Sequence, residues 1–315
     1  MDNRICVMYG DELGQYHFGI DHPFGPKRYQ AFKQEFEHRQ LDKQVKLCPP
    51  QLATEQQLLL FHTQDYINKV KNLSDKGFGF LDYGDTPARQ GIYEDACRVV
   101  GSTLSAIDRI MEDECVHVFT PIAGLHHAAR DRAAGFCVFN DCGIAIEYLR
   151  QQYNIQCIAY VDIDAHHGDG VFYAFEDDKN VIVVDFHQDG NTLYPGTGYV
   201  DETGKKEAAG TKLNVPLPPD CTDDLALQLW TRCEKFIEQA NPEFILLQCG
   251  ADSIAGDPIT QLKLTADFHR QVAHHLKKLA DRHCQGRLLA MGGGGYNLEN
   301  IAQGWNAVVE ELLSD

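Results

Sequence analysis

The segment YVDIDAHHGDG, from Tyr160 to Gly170, places three carboxylates and two histidines directly behind an apolar run. Charged side chains are rarely buried unless they are paired or bind a metal ion. Asp164 and His166 are two residues apart, so in an extended chain their side chains project to the same side. Asp252 would complete three ligands with an open fourth position, the arrangement of a catalytic zinc that acidifies a water molecule. The alternative is that these residues only cap helices and form turns.

The adjacent histidines His126 and His127 would supply acid–base chemistry beside such a metal ion. In a loop both imidazoles can face one point, where one takes a proton from the water and the other holds charge. Each imidazole then needs a carboxylate behind it to fix its tautomer, and Asp162 and Asp169 are available for this. The alternative is a histidine pair that is solvated or merely packed.

A third unusual segment is the glycine run GGGGYN, from Gly292 to Asn297. Glycine runs between a strand and a helix bind dinucleotides, but Asn297 stands where the third glycine of that pattern is required, so this function is not favoured. We interpret the run as a flexible backbone that lets the Tyr296 hydroxyl move towards a substrate. A packed core tyrosine is the alternative.

Short apolar runs alternate with longer segments of helical periodicity along the chain. The predicted strands are Ile5–Tyr9, Val116–Phe119, Ile158–Ile163, Val181–Phe186, Phe244–Leu247 and Leu288–Met291. The predicted helices are Arg28–Arg39, Glu55–Val70, Gly91–Met111, Asp141–Gln152, Asp223–Ala240, Thr265–Leu279 and Leu298–Leu313. Strands such as VIVVDF are apolar on both faces, which is typical of a covered parallel sheet. The sequence therefore predicts an α/β fold in one domain, 1–315, with a doubly wound, mainly parallel sheet flanked by helices.

The polar segments described above all follow predicted strands. In open α/β sheets, ligands bind beyond the carboxyl ends of the strands, so we expect these side chains to converge on one rim. Long loops are predicted over 11–26, 74–90, 125–140 and 188–212. Loops of this length in a compact domain tend to carry function.

Composition argues against several partners and locations. The formal net charge of −18 at pH 7 argues against binding to nucleic acid or to an anionic membrane surface. The eleven cysteines include no CxxC pair and lie mostly in apolar stretches, which favours a reducing compartment, so we predict a cytoplasmic protein. The apolar runs are short, and we therefore expect neither a membrane span nor a secretory segment.

Nearly the whole chain, from HPFGPKRY (His22–Tyr29) to GGGGYN, resembles the zinc-dependent histone deacetylase superfamily. The similarity is strongest to its compact bacterial members, which are like acetoin-utilisation proteins and histone-deacetylase-like amidohydrolases. Four separate motifs occur in the order of that family. The resemblance implies the arginase–deacetylase fold and a zinc hydrolase that removes acetyl or other acyl groups from lysine side chains or lysine-like amines.

The resemblance also implies roles for individual residues. The implied zinc ligands are Asp164, His166 and Asp252. The implied catalytic residues are His126, His127, Asp162, Asp169 and Tyr296. Among these, His127 would be the general base and later the acid, and Tyr296 would polarise the scissile carbonyl and stabilise the oxyanion. The implied substrate tunnel is formed by Gly135, Phe136 and Tyr194, with Asp85 at the rim and Ile259 at a gatekeeper position.

Members of the family also hold structural potassium behind the zinc, and the resemblance implies one or two such ions here. The first site would be formed by Asp162, Asp164, His166, Asp185 and Phe186. Asp185 stands where relatives usually have serine, and an additional carboxylate would tighten ion binding or alter the electrostatics of the zinc. The second site, resting mainly on backbone carbonyls, would be formed by Phe175, Asp178, Val181 and Thr211.

Several functions remain open at this point beside deacylation of lysine. An acetylpolyamine deacetylase often carries an acidic residue at the gatekeeper position, and Ile259 at that position favours peptides or other acyl-amines instead. The negative net charge of the chain, however, also suits a polyamine. A ureohydrolase with two manganese ions needs a carboxylate two residues beyond Asp252, where Ile254 stands. A catalytically inactive module that only binds acyl-lysine is expected to lack a zinc ligand or Tyr296. This chain retains all of them. The native metal, zinc or iron, and the oligomeric state are also open.

Overall fold

The computed structural model describes residues 5–314, in which eight strands form one sheet. The strands are β1 (Ile5–Met8), β2 (Lys46–Cys48), β3 (His117–Thr120), β4 (Ile158–Asp162), β5 (Val181–Gln188), β6 (Lys212–Leu217), β7 (Phe244–Gln248) and β8 (Leu288–Met291). Their order is β2-β1-β3-β8-β7-β4-β5-β6, and each neighbouring pair is parallel. The predicted α/β class is confirmed; residues 1–4 and 315 of the predicted domain lie outside the described residues.

The six strands predicted from the sequence are the six inner strands of the sheet. Every residue in them is buried, because helices cover both faces. The two edge strands, β2 and β6, were not predicted. β2 has only three residues, and β6 contains Pro216, which a strand tolerates at an edge where one side needs no ladder hydrogen bonds.

The helices form two groups that pack on the sheet. Within residues 5–314 the α-helices are α1 (Lys27–His38), α2 (Glu55–Leu58), α3 (Gln64–Lys76), α4 (Ile92–Met111), α5 (Asp141–Tyr153), α6 (Asp169–Ala174), α7 (Asp223–Ala240), α8 (Ala266–His283) and α9 (Leu298–Leu313). α1, α9, α8 and α7 pack side by side in that order, and α3, α4 and α5 pack together. No helix in the described part of the chain combines the length and apolar character needed to cross a membrane.

The prediction of one helix over Glu55–Val70 is wrong, because the chain forms two helices there. Thr54 caps α2 through a capping box with Gln57. Thr63 begins a second helix, since its side chain accepts a hydrogen bond from the Tyr66 amide at the start of α3. The short helix α6 was not predicted, and six residues carry too little periodicity to reveal it.

Four adjacent strands of the sheet position the polar segments. β3, β8, β7 and β4 are consecutive in the sheet and parallel. The histidine pair follows β3, Tyr296 follows β8, Asp252 follows β7, and the carboxylate-rich segment follows β4. Because the carboxyl ends of parallel strands share one edge, residues distant in sequence meet at one rim.

Candidate active site

The structure brings the three predicted metal ligands together. Ligand atoms of Asp164, His166 and Asp252 all lie within 4.8 Å of one another, and all three side chains are buried. His166 Nδ1 is 3.0 Å from Asp164 Oδ1 and 3.1 Å from Asp252 Oδ2. Asp164 and His166 lie in bends beyond β4. The bent backbone therefore brings their side chains together, whereas an extended chain was predicted.

The electrostatics of these three residues fit a divalent cation. Burial and the adjacent Asp164 carboxylate raise the pKa of Asp252 to about 7. Two buried carboxylates this close disfavour each other's ionised form, and a bound cation removes that repulsion. One imidazole and two carboxylates are a donor set that suits zinc or iron.

The glycine run after β8 is closely packed, so its interpretation as a flexible segment is wrong. A Cβ atom at Gly294 would lie 2.2 Å from Asp252 Oδ2 and 2.7 Å from Asp164 Oδ2. The Gly294 amide donates to Asp164 Oδ2 at 2.8 Å, and the Gly294 carbonyl accepts from the Ala251 amide at 3.0 Å. Glycine is therefore required here because the backbone touches the carboxylates of Asp164 and Asp252, two of the predicted metal ligands.

The two histidines of the loop after β3 face each other. Their ring centroids are 4.1 Å apart, and Nε2 of His126 lies 3.1 Å from Nε2 of His127. His126 Nδ1 donates to Asp162 Oδ2 at 2.8 Å, and His127 Nδ1 donates to Asp169 Oδ1 at 2.7 Å. Both imidazoles thus have the carboxylate that the sequence analysis assigned to them.

The environments of the two histidines shift their pKa values in opposite directions. Burial alone would lower the pKa of His126, but the Asp162 and Asp164 carboxylates outweigh it and raise that pKa to about 10. Burial and the positive charge on His126 lower the pKa of His127 to about 4. At neutral pH His126 is therefore charged and His127 neutral. His127 keeps its proton on Nδ1, towards Asp169, so its Nε2 is unprotonated and accepts a hydrogen bond from Nε2 of the charged His126.

Tyr296 and the predicted tunnel residues surround the histidines and ligands. The Tyr296 ring lies 5.7 Å from the Phe136 ring, and the Tyr194 ring lies 5.2 Å from His127 and 6.4 Å from His166. Burial and the Asp252 carboxylate raise the pKa of Tyr296 well above its ordinary value, so its hydroxyl stays protonated and can donate.

Gly135 explains how the predicted tunnel wall comes so close to the His127 ring. A Cβ atom at this position would lie 2.4 Å from the His127 ring, and the backbone has a φ of +52°. A larger residue would push the wall away from His127 or distort the loop.

The two outermost tunnel predictions lie in clefts at the rim. Asp85 lines a cleft of about 470 Å³ together with Asp169 and Tyr194. Ile259 lines a second cleft of about 340 Å³, together with Tyr296. Both positions are therefore next to residues of the predicted active site.

The predicted first potassium site contains two facing carboxylates. Asp162 and Asp185 are direct neighbours across β4 and β5, and their Oδ2 atoms lie 2.8 Å and 3.3 Å from where a Cβ atom of Gly168 would stand. Asp185 Oδ1 accepts from His187 Nδ1 at 2.7 Å. His187 Nε2 donates to the Gly198 carbonyl at 2.8 Å, so both ring nitrogens of His187 carry a proton and the additional carboxylate has a cationic partner. The Asp185 carboxylate raises the pKa of His187, although burial opposes this. The residues fit a cation.

The predicted second potassium site does not fit an additional ion. The Nζ atom of Lys212 lies among its residues and donates to the carbonyl oxygen of Asp178 at 2.8 Å, to that of Val181, and to Thr211 Oγ1 at 2.9 Å. The burial of Lys212 was not predicted, because a lysine side chain in a strand is usually solvated.

Two buried polar residues that the sequence analysis did not assign hold the site together. Gln248 donates to Asp164 Oδ2 at 2.8 Å and to the Gly124 carbonyl at 3.2 Å. Asp141 accepts from the amides of Gly124 and Leu125, the latter at 2.7 Å, and so fixes the loop that leads to the histidines. A signal was present for Gln248, since a polar residue within the apolar run FILLQ needs a buried partner.

Arg28 is a third unassigned residue, and it supports the Tyr296 loop. It is only 1% exposed, and its guanidinium lies 3.9 Å from the centre of the Phe24 ring. Nε donates to the Gly295 carbonyl and Nη2 to the Gly293 carbonyl, each at 2.7 Å. The planar fork of an arginine side chain suits two such acceptors, and a lysine cannot replace it.

We expect Arg28→Ala and Arg28→Lys to lower kcat/KM on an acetyl-lysine peptide by about ten- to hundredfold, because a small displacement of a catalytic group has effects of this size. The three predicted metal ligands are untouched, so the metal content of the purified variants should equal that of the wild type. Arg282→Ala, at a side chain that is 51% exposed, is the control and should leave activity unchanged. Full activity in both Arg28 variants would show that the Tyr296 loop holds its position without Arg28.

Comparison with known families identifies the class of protein. Residues 22–312 match the family described as the histone deacetylase domain, and the chain belongs to this family. It is a deacetylase, a hydrolase that acts on acetyl-lysine or similar amides. The family resemblance found in the sequence is thereby confirmed.

Individual relatives cover almost the whole chain. The chain is 33% identical to the acetoin utilization protein AcuC of Bacillus subtilis (strain 168), over 97% of this chain and 81% of that protein. It is 32% identical to AcuC of Staphylococcus xylosus, over 100% of this chain and 84% of that protein. The crystal structure of the HDA15 HD domain superposes with a TM-score of 0.90 at 24% identity, over 99% of this chain and 90% of that one. This likeness supports the predicted arginase–deacetylase fold.

Proposed function

We propose that this deacetylase binds one zinc ion through Asp164, His166 and Asp252 and removes acetyl or other acyl groups from lysine side chains. The observation that carries the proposal is the buried group of three ligand atoms within 4.8 Å, in a chain of a family that is generally zinc-dependent. Bound zinc would supply a Lewis acid that polarises a carbonyl oxygen and makes a water molecule more acidic.

Proton transfer is assigned to the histidine pair. His127 Nε2 takes a proton from the attacking water and later delivers it to the leaving amine. Asp169 holds the other proton of His127 on Nδ1, so that Nε2 stays unprotonated and can take a proton. His126, kept charged by Asp162, lowers the proton affinity of His127 and so favours delivery of that proton to the amine.

The remaining residues bind and orient the substrate. The Tyr296 hydroxyl donates a hydrogen bond to the oxygen of the scissile carbonyl, where negative charge develops. Phe136 and Tyr194, with Gly135, form the walls that exclude water from the acyl-lysine side chain. Asp85 accepts hydrogen bonds from the substrate backbone at the rim.

A potassium ion at the first site is part of the proposal. Its ligands would be Asp162, Asp164, His166, Asp185 and Phe186. Because both nitrogens of His187 donate, to Asp185 and to the Gly198 carbonyl, Asp185 has a cationic partner, and we expect the ion to bind about as it would beside a neutral side chain.

The substrate class has one close alternative. Three aspartates and one arginine, Asp82, Asp85, Asp169 and Arg132, line the cleft beside Tyr194. The excess of acidic groups suits a cationic substrate, whether a basic peptide or an acetylpolyamine. Ile259 occupies the gatekeeper position without a charge, which favours peptides. The two-manganese ureohydrolase is disfavoured because the Ile254 side chain packs towards Gly304 and offers no ligand beside Asp252.

The proposed metal dependence has a direct test. Purified protein treated with a chelator is expected to lose deacetylation of an acetyl-lysine peptide, and zinc should restore it at about one ion per chain. Iron and manganese are added in parallel, and acetylspermidine and longer acyl-lysines are assayed beside the peptide. Activity that survives complete metal removal, or that returns only with two manganese ions per chain, would contradict the proposal.

The location of the protein stays a prediction. All eleven cysteines are free, and ten are buried, which fits the reducing cytoplasm proposed from the sequence. We likewise keep the expectation that the chain binds neither nucleic acid nor anionic membranes.

A further inference from the structure

Lys212 is a buried lysine at the start of the edge strand β6. Its side chain is only 1% exposed. The Nζ atom donates to the carbonyl oxygens of Asp178 at 2.8 Å and Val181 at 2.5 Å and to Thr211 Oγ1 at 2.9 Å. Lysine is among the residues that are almost never fully buried unless they are paired, so this arrangement needs a reason.

The hydrogen bonds around Nζ identify the side chain as an ammonium ion. A carbonyl oxygen can only accept, and the Thr211 hydroxyl already donates to the Ala208 carbonyl at 2.7 Å, so all three partners accept from Lys212. A neutral amine has two N–H groups, whereas an ammonium has three. The three acceptors therefore require the charged form.

The charge is held mainly by backbone and hydroxyl oxygens. The carboxylate of Asp178 accepts from Arg150 Nη1 at 2.6 Å through Oδ2 and from the Asn180 amide at 2.9 Å through Oδ1. It is thus engaged with other partners, and the Asp178 carbonyl is the group that contacts Lys212. Carbonyl and hydroxyl oxygens of this kind are also what a monovalent metal ion uses as ligands.

We propose that the ammonium group of Lys212 takes the place of the second monovalent cation, so that this chain carries a tethered cation there and binds no potassium at that position. Three of the four residues predicted for the second potassium site, Asp178, Val181 and Thr211, are the hydrogen-bond acceptors of Lys212. The carbonyl of the fourth, Phe175, accepts from the Asp178 amide at 3.0 Å.

The position of Lys212 gives this substitution a consequence for the active site. The segment 175–181 joins α6 to β5, and α6 begins at Asp169, the partner of His127. A bound ion stabilises such a segment only to the extent that the concentration of free ion exceeds the dissociation constant of the site. A tethered ammonium is always present, so this part of the chain is held in place at any potassium concentration.

Melting temperatures in different salts test the proposal. Lys212→Ala leaves the oxygen cage and removes the cation, so in choline chloride it should melt about 5 °C or more below the wild type. Potassium or ammonium chloride should restore most of the lost melting temperature. This rise should exceed the rise that the same salt causes in the wild type by binding at the first site. Lys212→Met fills the cage without charge and should be destabilised without recovery. Lys179→Ala, at a lysine that is 58% exposed, is the control and should behave as the wild type does.

Thallium, a potassium substitute visible by anomalous diffraction, provides a second measurement, and its wild-type arm does not depend on a variant folding. In wild-type crystals no thallium peak is expected beside the Asp178 and Val181 carbonyls, and in Lys212→Ala crystals a peak is expected there. A thallium peak at these carbonyls in the wild type would overturn the proposal. An equal response of wild type and Lys212→Ala to potassium would overturn it as well.

Discussion

Replacing His127 with alanine is expected to lower kcat/KM on an acetyl-lysine peptide by about 10²- to 10⁴-fold, the usual contribution of a positioned general base. His127 is the neutral member of the histidine pair, and its Nε2 atom is the one that can accept a proton. The proposed metal ligands Asp164, His166 and Asp252 form no hydrogen bond with His127, so the metal should remain bound. Steady-state kinetics and the metal content of the purified variant measure the two effects.

The pH profile separates proton transfer from a merely structural role. A general base must be neutral, so activity is lost as the pH falls through its pKa, and the value of about 4 for His127 places this acid limb below pH 5. His126→Gln removes the positive charge on His126, which is one of the causes of that low pKa, so the acid limb of this variant should shift to higher pH. His38→Gln, at an exposed side chain, is the matched control. His269→Gln would not serve, because His269 is buried. An unchanged acid limb in His126→Gln, or near-wild-type turnover in His127→Ala, would contradict the assignment.

The inner part of the sheet was predictable because burial on both faces leaves a continuous apolar run. The edge strands β2 and β6 lack this signal, since one side of an edge strand needs no ladder partner and tolerates Lys212 and Pro216. The break between α2 and α3 was not predictable from periodicity. It depends on Thr63, whose amide donates to the Arg130 carbonyl far along the chain.

The composition of the site was predictable, but several causes of its geometry were not. Asp, His and Tyr at strand ends indicate chemistry because such groups are expensive to bury, and the family resemblance assigns their roles. The contact between Gly294 and the carboxylates of Asp164 and Asp252 is different, since it is a close approach of backbone to side chain that no spacing rule encodes. Arg28 and Lys212 were missed for a related reason, because their partners are carbonyl oxygens, which every residue has.

Tyr296→Phe is expected to lower kcat by about 10²- to 10³-fold with little change in KM, the effect of removing one donor to an oxyanion. Phenylalanine keeps the ring that packs 5.7 Å from Phe136 and 6.5 Å from Phe24, so the wall of the site should stay in place. The Tyr296 amide also keeps its hydrogen bond to Asp257 Oδ2, at 2.7 Å. Only the hydroxyl is removed.

The matched control for this substitution is Tyr199→Phe, which removes the hydroxyl of a tyrosine that is 39% exposed and bonded to the Gly196 carbonyl. It should retain wild-type turnover and metal content. A loss of turnover in Tyr296→Phe with metal content and melting temperature unchanged then assigns the effect to the transition state, because substrate binding and folding are intact. If Tyr296→Phe turned over the peptide as fast as Tyr199→Phe, the developing charge would have to be stabilised without Tyr296, and its raised pKa would be only a result of burial.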